Sequence, residues 1–311
     1  MGNGWLGRKG DSYTDFVLDA AVDERVFATF RRQPVYRSIV ETLSAEQGAE
    51  FLSAIDDPLV RRLCLASAAA DCVGGPTTFP YEGVALSPTT LRYGKVLCDL
   101  QRFFPKYPRM RRIVEIGVGY GGLARLVWEH HLLAETMLET YVGIDLAPVA
   151  MLARRYMDLC TSGNNVIFLA SEDTAVEDWD LVISNYAFSE LDRTLQESYL
   201  ARVLENASAG YLTMNTGLWS GTAFGHACFT VEELLERLPN AVLAPDRPES
   251  ATSNYILAFG DHALGAGTPL EEIRAGSQRL IAEREARRAE RRSLRGLFRR
   301  ATSGIAAVLA S

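Results

Sequence analysis

Residues 113–122 read Ile-Val-Glu-Ile-Gly-Val-Gly-Tyr-Gly-Gly, and this decapeptide constrains the fold more than any other part of the chain. A short apolar run carries an acid, Glu115, after which Gly117, Gly119 and Gly121 occupy every second position. Glycine adopts left-handed backbone and has no side chain, so this spacing suits a strand-to-helix turn that passes close to a bound nucleoside. A helix-like stretch from Leu123 to His131 follows, and a second apolar run, Tyr-Val-Gly-Ile-Asp, ends at Asp145. A carboxylate at the end of the second strand of such a unit can hold a ribose diol. The pattern describes half of a nucleoside-binding site on an α/β sheet.

The surrounding sequence extends that sheet. Candidate strands at 112–116, 140–145, 165–170, 180–184 and 210–215 alternate with candidate helices at 122–133, 147–160, 192–206 and 231–238. Continuous apolar strands separated by helices predict a parallel sheet covered on both faces. Two further strand-like runs, 241–245 and 254–259, suit a terminal antiparallel hairpin. Ahead of the sheet, residues 12–72 read as helical throughout, with Ser44 and Gln47 as a capping box and Asp57-Pro58 as a helix start. Gly74-Gly75-Pro76, Pro80 and Pro88 mark a structured loop over 73–90, and Thr89 to Phe104 reads as another helix. The expected units are a helical lobe and lid at 1–108, a nucleoside-binding domain at 109–262 and a tail at 263–311.

Composition narrows the classes of function. Apolar residues at 48% and charged residues at 23% describe an ordinary globular protein. No apolar run approaches the roughly 18 residues that span a bilayer. The start of the chain lacks an apolar signal core, and Leu6 stands where a myristoylation signal wants Ser or Thr. Five cysteines without close pairing fit reduced thiols, so a cytoplasmic location is expected. The net charge is −7, but residues 271–311 hold ten Arg and five Glu, which leaves −12 on the remainder. So acidic a body argues against nucleic acid as a partner.

The glycines alone do not name the cofactor, because Gly117-x-Gly119-x-x-Gly122 also fits a dinucleotide fingerprint. Three features shift the balance. Glu115 stands two residues before the first glycine, where a carboxylate can face a cationic cofactor. More than a hundred residues precede the turn. The fourth strand ends in polar Asn185 and aromatic Tyr186, at the sheet edge where the ligand lies. With the closing hairpin, these features resemble a class I S-adenosylmethionine (SAM) methyltransferase. More narrowly, Glu-Ile-Gly-Val-Gly-Tyr-Gly-Gly-Leu-Ala (115–124), Asp-Leu-Val-Ile-Ser-Asn-Tyr-Ala-Phe-Ser-Glu-Leu (180–191) and Tyr-Glu-Gly…Leu-Ser-Pro-Thr-Thr-Leu-Arg-Tyr (81–93) are similar to the sugar O-methyltransferase family over about residues 70–260. The resemblance implies a Rossmann-like fold, SAM as donor and a hydroxyl of a sugar or glycoconjugate as acceptor. Val118, where many relatives would carry glycine, departs from the pattern and is expected to narrow the turn. An NAD(P)-dependent oxidoreductase and a non-catalytic SAM-binding scaffold remain the rival readings.

Candidate roles follow from position. Glu115, Gly117, Gly119, Gly121 and Asp145 form the cofactor half-site, Ser171 and Glu172 end the third strand near the adenine, and Asn185 faces the methionine end of the donor or the acceptor. Methyl transfer from a sulfonium needs an aligned acceptor oxygen and gains from a base. Glu190, just past strand four, and His226, in the loop 217–229, are the candidate bases. Tyr81, Glu82, Arg92 and Tyr93 of the lid, with Tyr186 and Trp219, are the candidate acceptor contacts. Asp192 reads as a helix N-cap. His130 and His131 read as surface residues that offset a helix dipole, and no third ligand is spaced for a metal. In the tail, Leu294, Leu297, Phe298, Ala301, Ile305, Val308 and Leu309 recur at helical spacing among arginines. Such a segment suits peripheral contact with an anionic membrane or packing on another subunit of a homo-oligomer.

Overall fold

The computed structural model describes residues 7–161, 165–173, 177–249 and 251–309; the side chains of 7–11, 172 and 290–309 lie outside the description. Its centre is a seven-stranded sheet built from β1 (Arg112–Ile116), β2 (Thr140–Asp145), β3 (Val166–Ala170), β4 (Leu181–Asn185), β5 (Ala209–Met214), β6 (Val242–Pro245) and β7 (Tyr255–Gly260). The spatial order is β6-β7-β5-β4-β1-β2-β3. Strand β7 runs antiparallel to both neighbours, and the pairings from β5 across to β3 are parallel. This is the Rossmann-like arrangement, mostly parallel with a terminal hairpin, expected of a class I methyltransferase sheet. The chain leaves β1 toward β2 on one side and later returns to β4 on the other, so the carboxyl ends of β1 and β4 bound a crevice at the switch point.

Alternation along each strand divides the core. Ile113, Tyr141, Leu181, Ile183 and Tyr211 face a cluster that continues into the N-terminal helices. Val114, Ile116, Val142, Val182 and Leu212 face a second cluster formed with later helices. On the first face lie α1 (Gly7–Val22), α2 (Pro88–Phe103), α3 (Gly122–Leu133) and α4 (Ala147–Cys160). On the second lie α5 (Arg193–Arg202) and α6 (Val231–Arg237), the latter opened by a Thr230–Glu233 capping box. Residues 12–72 are not one helical run. They break into α1 and short helices at Glu24–Phe27, Pro34–Arg37, Ala45–Ala54, Pro58–Ala66 and Ala68–Asp71. Caps at Asp23, Ser44 and Asp57 start new helices within the run. The loop expected over 73–90 contains a small hairpin, Phe79–Tyr81 with Val84–Leu86, turned by Glu82 (φ 50°) and Gly83 (φ 83°).

A buried polar cluster clamps the lobe to the sheet. Arg31, 0% exposed, donates from Nε to Glu41 Oε1 (2.6 Å) and from Nη1 to Asp71 Oδ1 (3.0 Å). The hydroxyls of Ser87 and Thr89 donate to Glu41 Oε2 (2.8 and 2.7 Å), and Thr90 donates to Asp71 Oδ1 (2.8 Å). The Arg31 guanidinium also lies 4.3 Å from the ring centre of Tyr120, which stands inside the glycine turn. Each buried charge is thereby paired and hydrogen-bonded, the condition under which such groups are tolerated.

His130 and His131 differ from the surface residues expected. Both are buried, and both ring nitrogens that are engaged serve local packing: His130 Nε2 with Gln101 Nε2 (2.7 Å), His131 Nδ1 with Thr136 Oγ1 (2.8 Å). Burial pushes both imidazoles down, His131 to about 4, so they are neutral near physiological pH. The tail forms α7 (Leu270–Leu309), anchored at its start where Arg274 Nε donates to the Leu218 carbonyl (2.9 Å). The apolar stripe expected from Leu294 onward lies outside the described side chains. No helix among the described residues is long and apolar enough to cross a membrane, and all five cysteines are free.

Candidate active site

Strand β1 delivers Glu115 to the lobe-covered face, 2% exposed, where the Tyr141 hydroxyl from β2 donates to its Oε2 at 2.6 Å. Burial pushes this carboxyl up to about 8; the Tyr141 bond works against the shift and nearby Asp145 adds to it. Asp145 closes β2. Its Oδ2 accepts from the Gly119 amide (3.0 Å) and its Oδ1 from the Leu146 amide (2.8 Å). Burial raises it to about 6 against those two bonds.

The turn between these acids requires its glycines for different reasons. Gly117 (φ 82°) is crossed so closely that an added Cβ would lie 2.0 Å from the Ala187 Cβ. Gly119 (φ 55°) faces open space: an added Cβ there would meet no atom within 4 Å. Gly121 (φ 87°) caps α3. Val118 is buried against Gly143, and its side chain joins the wall of the site.

These elements enclose a cavity of about 270 Å³ at the carboxyl edge of the sheet. Glu115, Gly117, Gly119 and Asp145 line one side. Asn185, Tyr186, Ala187, Glu190 and Leu191, all from the segment following β4, line another. Arg92 and Tyr93 project from α2, and Tyr13, Ile39 and Val40 of the lobe close the top.

Several groups here have unusual conformations or hydrogen bonding. Tyr186 has φ 70°, a conformation uncommon for a bulky residue, and its amide donates to the Thr213 carbonyl at 2.8 Å. Asn185 Oδ1 accepts from Thr213 Oγ1 (3.3 Å), while its buried Nδ2 has no hydrogen-bond partner among the described residues. Glu190 Oε1 accepts from Asn215 Nδ2 at 2.6 Å, and Asn215 Oδ1 accepts from Ser189 Oγ at 2.7 Å. Burial raises the Glu190 carboxyl, with the Asn215 bond opposing it. Asp192 caps α5 through the Leu195 amide (3.0 Å).

Other candidates from the sequence lie elsewhere. Tyr81 is buried in the lobe, donating to the Ala45 carbonyl at 3.0 Å, and Glu82 pairs with Arg61 on the surface. Neither is among the cavity-lining residues. Trp219, 45% exposed, has Arg274 5.8 Å from its ring centre. His226 sits in the hairpin Thr222–Ala223 with His226–Ala227, its Nδ1 3.2 Å from the Ala227 carbonyl, and is absent from the lining as well. Ser171 begins a single 3₁₀ turn beyond β3 and is half-buried away from the lining; the Glu172 side chain lies outside the described residues. Among the described residues no cluster of His, Cys, Asp or Glu could hold a metal ion. Conversely, Tyr13, Ile39, Val40 and Asn215 belong to the site or its support without having been singled out in the sequence.

No protein-family model matches this sequence, and no curated protein does. Solved structures do show likeness. The methyltransferase domain of bacterial CtHen1 is 14% identical with a TM-score of 0.39, over 54% of this chain and 97% of that one. The pyocyanin biosynthetic protein PhzM is 14% identical with a TM-score of 0.38, over 56% of this chain and 57% of that one. PigF, solved with SAH, is 13% identical with a TM-score of 0.38, over 82% and 72%. At such values the likeness transfers no role to any residue here.

Proposed function

We propose that this protein transfers a methyl group from SAM to a hydroxyl of a sugar or glycoconjugate. One observation carries the reading: two acids, the buried Glu115 and the half-buried Asp145, flank a glycine with open space in front of it, in a cavity at the switch point. The fit is specific in kind. Asp145 suits a ribose diol, Glu115 suits a cationic group, and Gly119 leaves the room a nucleoside would occupy. Once bound, SAM supplies a methyl group on a sulfonium, an electrophile that an aligned oxygen can attack.

The protein's own residues would do the rest. Glu190 accepts the proton of the acceptor hydroxyl; its raised carboxyl is a better base than an exposed glutamate, and Asn215 fixes its orientation. Tyr93 and Tyr186 offer ring faces and hydroxyls to a polyhydroxyl ligand. Tyr13, Ile39 and Val40 line the cavity from the lobe, and positioning of the reactants in such a pocket can supply several kcal/mol of the barrier. The sugar class rests on the sequence resemblance over 81–93, 115–124 and 180–191. A basic helical tail suits an anionic membrane or a second subunit, which would bring the site to a lipid-linked or surface glycan.

Calorimetry with SAM, its demethylated product SAH, NAD and NADP tests the donor. Binding of the first pair alone is expected. Binding of NAD(P) alone would replace the reading with an oxidoreductase. Transfer of labelled methyl to a panel of neutral, anionic and nucleotide-linked sugars then tests the acceptor, and donor binding without turnover on any of them would favour a scaffold.

A further inference from the structure

Among the described residues that line the cavity, Arg92 is the one Lys or Arg, and no carboxylate pairs with it directly. The fully buried guanidiniums differ. Arg31 pairs with Glu41 and Asp71, and Arg125 pairs with Glu129 at 2.7 Å. Among the described residues Arg92 forms no such pair; its side chain hydrogen-bonds with Tyr93, while its buried Nε has no hydrogen-bond partner. Its guanidinium instead stands 5.5 Å from the Tyr93 ring centre and 5.6 Å from that of Tyr186. Two aromatic neighbours hold the group in place without neutralising it. A half-buried guanidinium whose buried Nε–H has no acceptor gains when a ligand brings one.

The rest of the wall shows what that something is. Glu115, Asp145, Glu190 and Asp192 line the same cavity, so the space offers several acids and, among the described residues, a single cation. A ligand of one charge would match only part of it; a ligand bearing both an ammonium and a carboxylate matches both. We propose that Arg92 anchors an anionic group inside the cavity, the carboxylate at the amino-acid end of the donor being the group that the paired charges favour. This rests on the donor assignment above. The same fork of N–H groups would serve a phosphate or carboxylate on the acceptor, and the two sources are separable.

Three probes decide the matter: SAH, 5′-methylthioadenosine (no amino-acid end) and inorganic phosphate, each titrated calorimetrically into wild type, Arg92→Gln and Arg92→Lys. If the donor carboxylate is held, Arg92→Gln weakens SAH by roughly tenfold or more, the worth of a charge-assisted hydrogen bond, and leaves methylthioadenosine unchanged. Arg92→Lys should recover part of the loss. Should the Gln variant fail to fold, the wild type still answers, because a decarboxylated SAM that keeps its ammonium should then bind it correspondingly less well than SAM. If the anion is the acceptor's, SAH affinity stays constant, and phosphate binds SAH-saturated wild type but not Arg92→Gln. Unchanged SAH affinity together with no Arg92-dependent phosphate binding overturns the proposal. A wild type that binds no SAH defeats the donor assignment instead, and phosphate titration of the free protein then still tests Arg92.

Discussion

Glu115 makes donor binding depend on protons in a way that can be measured. With its carboxyl raised to about 8, the residue is mostly protonated in the ligand-free protein at neutral pH. A cationic donor favours the ionised form, so binding must expel the proton. Each pH unit below the raised value costs about 1.4 kcal/mol, or tenfold in affinity. The affinity for SAM should therefore tighten roughly tenfold per unit from about pH 6 to pH 8 and then level off, with nearly one proton released per donor at the acid end. Calorimetry in buffers of different ionisation enthalpy counts that proton directly. Above about pH 7, where Asp145 (raised to about 6) is already ionised, neutral methylthioadenosine should release almost none, and Glu115→Gln should lose both the release and the slope. The sign for stability is opposite. Between the usual value of 4.5 and about 8 the folded state keeps a proton that the unfolded chain has lost. Stability of the ligand-free protein thus falls as pH rises through that window, by up to about 1.4 kcal/mol per unit, and Glu115→Gln should flatten the fall. A SAM affinity independent of pH, with no proton released, would refute the reasoning even if the donor bound tightly.

Gly119→Ala places a methyl group in the open space of the cavity and strains a φ of 55° by about 1–2 kcal/mol; donor affinity should fall at least about tenfold while the melting transition stays cooperative. Asp145→Ala should likewise weaken the donor without unfolding the chain, and unchanged affinity would remove it from the ribose site. Glu190→Gln should lower kcat by roughly a hundredfold or more with donor Kd preserved, whereas His226→Ala, outside the cavity lining, should leave kcat near wild type. Asn215→Ala removes the bond that holds the Glu190 carboxyl down, so the acid limb of the pH–rate profile should move to higher pH. Arg31→Met leaves Glu41 and Asp71 buried without their cation, and chemical denaturation should show a loss of about 3–5 kcal/mol.

The sheet was legible because its signals are local. Residues 122–133 and 147–160 are helical at the bounds expected, one opened by a left-handed glycine and the other by Pro148. Strands β1 and β2 likewise end where apolar runs meet Ile116 and Asp145. The lobe was less legible. Apolar spacing continues through residues 12–72, and only cap chemistry marks the breaks at Asp23, Ser44 and Asp57. Within the site, residues attached to a strand end or the glycine turn could be placed, because topology alone brings Glu115, Asp145, Asn185 and Glu190 to one edge. Tyr13, Ile39 and Val40 carry no motif; they reach the cavity only because the lobe folds over it. Tyr81 and Glu82 were misleading for the converse reason. Their Gly- and Pro-rich surroundings read as a lid, but the hairpin there turns Tyr81 into the lobe and Glu82 toward Arg61.

The segment Leu-Ser-Pro-Thr-Thr-Leu-Arg-Tyr connects those two outcomes. Its first hydroxyls do not touch the cavity at all: Ser87, Thr89 and Thr90 satisfy Glu41 and Asp71, the carboxylates that hold Arg31 against Tyr120. One turn of α2 later, Arg92 and Tyr93 enter the cavity wall. The same short run therefore fixes the lobe to the glycine turn and presents the cavity's cation. A helix that is pinned at its start by a buried, ion-paired polar cluster cannot rotate without leaving buried charges unpaired, and this holds Arg92 in the cavity wall. The separation of opposite charges across the cavity then follows from packing in a lobe that contains no catalytic group. Changes at Arg31, which is absent from the cavity lining, should accordingly be felt as a loss of discrimination between SAH and methylthioadenosine while the chain remains folded.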